Sequence, residues 1–251
     1  MNDATKIMLL SILPGFVVRR VMHPRYERMI GGRGEVELGE LPRIVRKGDL
    51  ALDVGSNLGI YTYALHRLAR QVVAFEPVPE LARLVRRQNL PGVSVREIAL
   101  SSNDGKDALS VPGEGHAYAS LRKQEVAEQA SVMQVATRQL DSLGLGAVGF
   151  IKIDVEGFEE EVLAGAMATI ARDHPRMLIE IEERHNPGGV ARVVELLAGQ
   201  GYSCWFRSGG RWLEFSEFES ARDQDPARLE AGERYVNNFL FMPQGKNIGN
   251  A

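Results

Sequence analysis

Residues 51–59, ALDVGSNLG, constrain this chain more than any other stretch. From Leu50 to Val54 the sequence is an apolar run interrupted only by Asp53, and such a run reads as a parallel strand buried on both faces. Gly55 and Gly59 then permit a tight turn and a close approach of backbone to a ligand. Beyond the turn, Ile60, Ala64, Leu65 and Leu68 recur at the spacing of one helix face. Strand, turn and helix in this order place the chain among α/β folds, with a ligand expected at the turn.

The turn disfavours one ligand and suits another. A dinucleotide fingerprint, G-x-G-x-x-G, needs a middle glycine so that backbone can reach a pyrophosphate. Here Asn57 stands in that place, which argues against an NAD-linked oxidoreductase. About 20 residues further on, where an acid that binds ribose is expected, the run Val72-Val73-Ala74-Phe75 ends in Glu76. Asp53, a loop unsuited to pyrophosphate, and Glu76 together describe a site for S-adenosylmethionine, which carries an amino acid and a sulfonium where NAD carries phosphates. The cofactor-binding candidates of this half are Asp53, Gly55, Ser56, Asn57, Gly59 and Glu76.

Three strings in order, LDVGSNLGIYTYALHRLA, VVAFEPVPE and FIKIDVEGFEEEVLAGA, resemble the FkbM family of S-adenosylmethionine-dependent methyltransferases over residues 49–182. IKIDVEGFE is the most specific of them, because the glycine turn alone is shared by most class I methyltransferases. The resemblance implies a Rossmann-like class I methyltransferase fold. Its parts would be a seven-stranded, mostly parallel sheet with an antiparallel final strand, an inserted β-hairpin and an N-terminal extension. It also implies that Ile98 and Ala99, ending a third strand over residues 93–100, lie beside the adenine. The acceptor it implies is a hydroxyl of a sugar, glycan or polyketide-type product.

At 251 residues, the chain suffices for one α/β domain with a small extension. The expected organisation is an extension over residues 1–46, a methyltransferase domain over 47–243 and a tail over 244–251, with residues 33–46 forming a lead-in of loop and turns. A net charge of −3 and a pI of 6.0 leave no basic field to gather nucleic acid. The expected partner is therefore a small-molecule or glycan acceptor, and a homodimer is left open. Cys204, the single cysteine, cannot form an intramolecular disulfide, which fits a cytoplasmic location. Residues 6–20, KIMLLSILPGFVVRR, are interrupted by Pro14-Gly15 and are too short to span a bilayer, which takes about 20 apolar residues. No small-residue cleavage site follows them, as a signal peptide requires. They read as a helix or pair of turns packed on the domain or on a second copy, with a membrane-surface or substrate-lid segment as the alternative. His23-Pro24 is expected to end the element.

Chemistry is expected where the fourth strand, residues 150–154, and the fifth, 177–182, end. Charges so deep in a sheet must be paired, so Lys152 and Glu180 are predicted to neutralise each other. Asp154 stands at the carboxyl end of its strand, on the edge where ligands bind, as a cofactor ligand and candidate base. Glu182 and His185 arrive at the same edge as further catalytic candidates; His185 is the first candidate for general base, with an ordinary imidazole pKa of about 6.5. Asp154, Glu182 and Asn186 offer oxygen ligands of the kind Mg2+ takes, but no spacing selects a metal and none is assigned. Within the insertion, His116 and Tyr118 are candidates for touching the acceptor. Residues 202–206, 211–215 and 239–242 are expected to supply the last two strands, and residues 216–234 a charged loop with a helical piece. The reading is an O-methyltransferase. Its rivals are a small-molecule N-methyltransferase with the same cofactor motifs and a non-catalytic scaffold that binds the cofactor.

Overall fold

The computed structural model describes residues 3–111, 131–230 and 235–246. Three helices, α1 (Asp3–Ile12), α2 (Gly15–Arg28) and α3 (Leu41–Ile44), precede β1 (Leu50–Val54). Next come α4 (Ile60–Leu65), β2 (Gln71–Phe75), α5 (Pro79–Arg87), β3 (Val93–Arg96), β4 (Ala99–Leu100), β5 (Gly105–Val111) and β6 (Ser131–Arg138). Then follow β7 (Val148–Ile153), α6 (Glu159–Ala164), α7 (Met167–Asp173), β8 (Arg176–Glu180), α8 (Gly189–Ala198) and β9 (Tyr202–Ser208). The described chain closes with β10 (Arg211–Glu214), α9 (Ser220–Asp223), α10 (Pro226–Glu230) and β11 (Asn238–Pro243).

The main sheet runs β10-β9-β11-β8-β7-β1-β2-β3. Its strands from β8 to β3 are parallel, and β11 lies antiparallel between β8 and β9. The α/β class and the antiparallel last strand are as the sequence implies, but among the described residues the sheet has eight strands rather than seven. The extra one is β10, which the Gly209-Gly210 turn folds back on β9 as an edge hairpin. Alternation along β1 sends Leu52 and Val54 into a core shared with α6, α7 and α8. It sends Ala51 to the other face, beneath Leu41 of α3 and Tyr61 and Leu65 of α4.

Residues 93–100 do not form one strand. β3 stays in the main sheet as far as Arg96, paired with Phe75; the Glu76 N–H donates to the Arg96 carbonyl at 3.0 Å, and the Val78 N–H, the next to face β3, donates to Glu76 Oε1 instead of extending the ladder. The chain steps across, and β4 pairs with β6 in a separate three-stranded sheet, order β4-β6-β5. β5 and β6 are the expected inserted hairpin. His116 and Tyr118, with the glycine-rich loop, lie outside the described residues.

One further expectation about the first 46 residues gives way, and another is met in part. Pro24 does not end its helix but sits inside α2, which continues to Arg28. Arg20 and Pro24 are both exposed, so the Arg20 carbonyl that loses its helical donor meets water instead. The lead-in is a 3-10 turn, Val36–Gly39, followed by α3, and it buries Leu38, Leu41 and Ile44. The expected short turns are present, and their apolar side chains make the segment part of the core.

Candidate active site

The carboxyl ends of β1, β2 and β7 open into one cleft of about 620 Å³, counted with its mouth, within the range of small-ligand sites. Its polar wall is Gly55, Asn57, Glu76, Asp154 and Glu156; its apolar wall includes Leu81, Ile98, Ala99, Leu109 and Phe158.

The turn after β1 is held by the end of β2: the N–H groups of Gly55 and Ser56 both donate to the Phe75 carbonyl, at 3.0 and 3.1 Å. Gly55 takes φ +80°, and a Cβ there would lie 1.8 Å from the Asp154 carbonyl oxygen. Only glycine lets β1 and β7 approach so closely at the cleft floor. Asn57 adopts φ +49°, a left-handed conformation that its short polar side chain tolerates. That turn aims its N–H at Glu76 Oε2, 2.7 Å away, while Val78 N–H donates to Oε1 at 2.9 Å. Burial pushes the Glu76 carboxyl up to about 7, with the two backbone donors pulling the other way.

Asp154 follows β7 directly, its N–H donating to the Val54 carbonyl at 2.9 Å. Burial raises its carboxyl to about 7; Lys152 opposes the rise and Glu156 adds to it. Glu156 then turns left-handed at φ +49°, a strained backbone for a residue with a Cβ and frequent at functional sites. Its Oε2 lies 3.0 Å from His185 Nε2. Glu156 is the residue that motif reading passes over; the acid two positions after Asp154, just before a turn glycine, was the available signal.

Of the expected site residues, Gly55, Asn57, Glu76, Ile98, Ala99 and Asp154 share the cleft wall. Ser56 is buried at the turn, with no hydrogen-bond partner for its Oγ among the described residues. Asp53 is not in the wall. It is buried on the opposite face of β1 from Val54 and accepts from the Thr62 hydroxyl of α4, burial raising its carboxyl to about 6. There it starts a polar row across the sheet: Asp53 beside Lys152, and Glu180 beside Asn238. Lys152 Nζ lies 3.7 Å from Glu180, as predicted, and donates to Asn238 Oδ1 at 3.1 Å.

Gly59 also lies outside the wall. At φ +88°, a Cβ there would come within 3.1 Å of Gln88 and Val85, so Gly59 lets α4 start against α5 rather than touching a ligand. Glu182 is gripped by Arg184, whose Nε and Nη2 donate to its two oxygens at 2.6 and 2.9 Å. His185 faces Glu156 and, at 3.9 Å, Glu182. Neither Glu182 nor His185 lines the cleft itself.

The oxygen set proposed for Mg2+ does not assemble, because Asn186 turns away to Glu160 and Arg192. Glu156, Glu182 and His185 do bring possible ligand atoms within 4.8 Å of one another. Arg184 already supplies the counter-charge on Glu182 there, while Glu156 lies beside His185.

The cleft residues fit S-adenosylmethionine: a buried acid at the second strand end, a Cβ-free approach at Gly55, a buried hydroxyl lacking a partner at Ser56, and an apolar wall broad enough for a base. A family model described as the methyltransferase FkbM domain matches residues 53–204. The chain is 29% identical over 198 residues to the 31-O-demethyl-FK506 methyltransferase FkbM of Streptomyces tacrolimicus, covering 63% of this chain and 74% of that protein. It is 26% identical over 181 residues to Methyltransferase 1 of Beauveria bassiana, covering 61% and 71%. Among solved structures, the methyltransferase FkbM of Methylobacillus flagellatus shares the fold with a TM-score of 0.51 at 15% identity, over 78% of this chain. The match spans 44% of that longer chain.

Proposed function

This chain belongs to the methyltransferase FkbM family, and from that membership we propose that it methylates a hydroxyl oxygen of a small-molecule or glycan acceptor, using S-adenosylmethionine. One observation carries the reading: Glu76, the glycine turn and Asp154 meet in a single cleft. When bound, the cofactor supplies a methyl group on a cationic sulfur that departs as a neutral thioether. Glu76 has lone pairs beyond those taken by Asn57 and Val78, and these accept ribose hydroxyls. Ile98 and Ala99 flank the base. Asp154 takes the acceptor proton as the oxygen–carbon bond forms; a carboxyl that titrates near 7 suits a general base at neutral pH. Glu156, with His185 Nε2 3.0 Å from its Oε2, accepts a hydrogen bond from the acceptor and fixes its approach. The name of the Streptomyces relative, which places a methyl group on oxygen, supports oxygen as the acceptor atom.

Titration calorimetry with S-adenosylmethionine, its demethylated product and NAD tests the cofactor. The first two should bind, and binding of NAD alone would overturn the reading. Labelled-methyl transfer to hydroxyl and amine panels then tests the acceptor atom; transfer to amines alone would replace oxygen by nitrogen. Asp154→Asn should lower kcat by about 10²–10⁴-fold while the demethylated product still binds.

A further inference from the structure

We propose that α1 and α2 seat this protein on an anionic lipid surface. Each helix buries one side and leaves the other bare. In α1, Ile7 and Ser11 are buried, while Met8, Leu9 and Ile12 are 57%, 41% and 57% exposed. In α2, Val18, Met22 and Tyr26 pack with Tyr63, Leu84 and Leu90, whereas Phe16 is 67% and Val21 50% exposed. Single exposed apolar side chains are ordinary, but five on two consecutive helices give each helix an apolar outer side, the kind of surface that marks an interaction site.

Charge selects the occupant. The chain as a whole carries a net −3, yet α2 holds Arg19, Arg20, Arg25 and Arg28 against one acid, Glu27. Glu27 is already engaged by the Tyr63 hydroxyl at 2.6 Å and by Arg67 at 2.7 Å. At helical steps of about 100°, Arg20 and Arg28 share the outer side of α2 with Phe16 and Val21. An apolar face edged with arginine is the composition of a helix that lies in a lipid interface and meets anionic headgroups. A second copy fits less well, because a two-fold contact would set this cationic face against itself. The seat also bears on the cleft. Ile7, on the buried side of α1, packs with Leu81, Ala99 and Leu109, all three in the cleft wall. A lipid-seated α1 thus leaves the cleft about one helix diameter, ~10 Å, from the surface.

Co-sedimentation of the full chain with vesicles of phosphatidylcholine, alone or mixed with phosphatidylglycerol, tests this without reference to methyl transfer. Partitioning should rise with phosphatidylglycerol and fall with salt. Ile12→Glu with Phe16→Glu should reduce it about tenfold or more. Arg20→Gln with Arg28→Gln should cost about fivefold per arginine on anionic vesicles and nothing on neutral ones. The four side chains are exposed, and an unchanged circular dichroism melt verifies that each variant folds. Failure of the wild type to partition onto anionic vesicles, or equal partitioning of both variants, would overturn the proposal. So would a dimer, seen by light scattering, that Ile12→Glu with Phe16→Glu dissociates.

Discussion

Glu76 spends its buried carboxylate on two backbone N–H groups while titrating at about 7, so its charge and the occupancy of the cleft are linked. Glu76→Ala should weaken binding of the demethylated cofactor by about 1–3 kcal/mol, the worth of hydrogen bonds to a charged group; calorimetry showing unchanged affinity would remove Glu76 from the site. In the wild type, affinity should fall as pH drops through about 7, because the protonated carboxyl loses acceptor capacity, and Glu76→Gln should flatten that slope. Lys152 poses the opposite problem, a cation with no exposed surface. Lys152→Met would leave Glu180 unpaired and should cost about 3–5 kcal/mol in urea unfolding, most of it recovered when Glu180→Leu is added. Gly55, Asn57 and Glu76 were legible in the sequence because each residue type answers a local backbone demand. Asp53 was not, since alternation says that two faces exist and not which one meets the cleft. Nor was the engagement of His185, whose partner Glu156 reaches it only through a left-handed turn.

At the scale of elements, the two glycines of the first turn divide their labour, and substitution should separate them. Gly59→Ala strains a left-handed position, costing about 1–2 kcal/mol, and crowds α5. The thermal midpoint should fall while cofactor affinity in the surviving folded protein changes little. Gly55→Ala drives a Cβ into the Asp154 carbonyl, and affinity should collapse along with stability. Strands β1, β2, β7 and β8 could be read as apolar runs because both their faces are buried. The break after Arg96 could not, since it depends on the Val78 N–H of the neighbouring strand's turn bonding to Glu76 rather than on its own residues. α2 defeated the proline rule for a similar reason: whether Pro24 ends a helix depends on whether the Arg20 carbonyl can reach water.

Across the whole molecule, buried acids carry the main response of stability to pH; burial raises Glu37 and Glu180 along with Asp53, Glu76 and Asp154, while His23 and His66, lowered by burial, oppose them. Asp53 is raised from 3.8 to about 6, Glu76 from 4.5 to about 7 and Asp154 from 3.8 to about 7. Between about pH 4 and 7 the native state therefore binds more protons than the unfolded chain. The contribution of these groups is greatest at the acid end, declines as pH rises through that window, and levels off above about 7. Urea midpoints of the ligand-free protein should accordingly be lower at pH 7.5 than at pH 5.5, and Glu76→Gln should reduce the difference. The sheet order carries a further consequence, for time rather than energy. β1 lies beside β7, Leu50 against Val148 and Val54 against Ile153, so the two halves of the cleft floor come from opposite sides of the β5–β6 insertion. Pairing of such distant segments is slow. A chain emerging from the ribosome carries the glycine turn and Glu76 well before it carries Asp154, and it stays blind to its cofactor until β7 has slotted in beside β1.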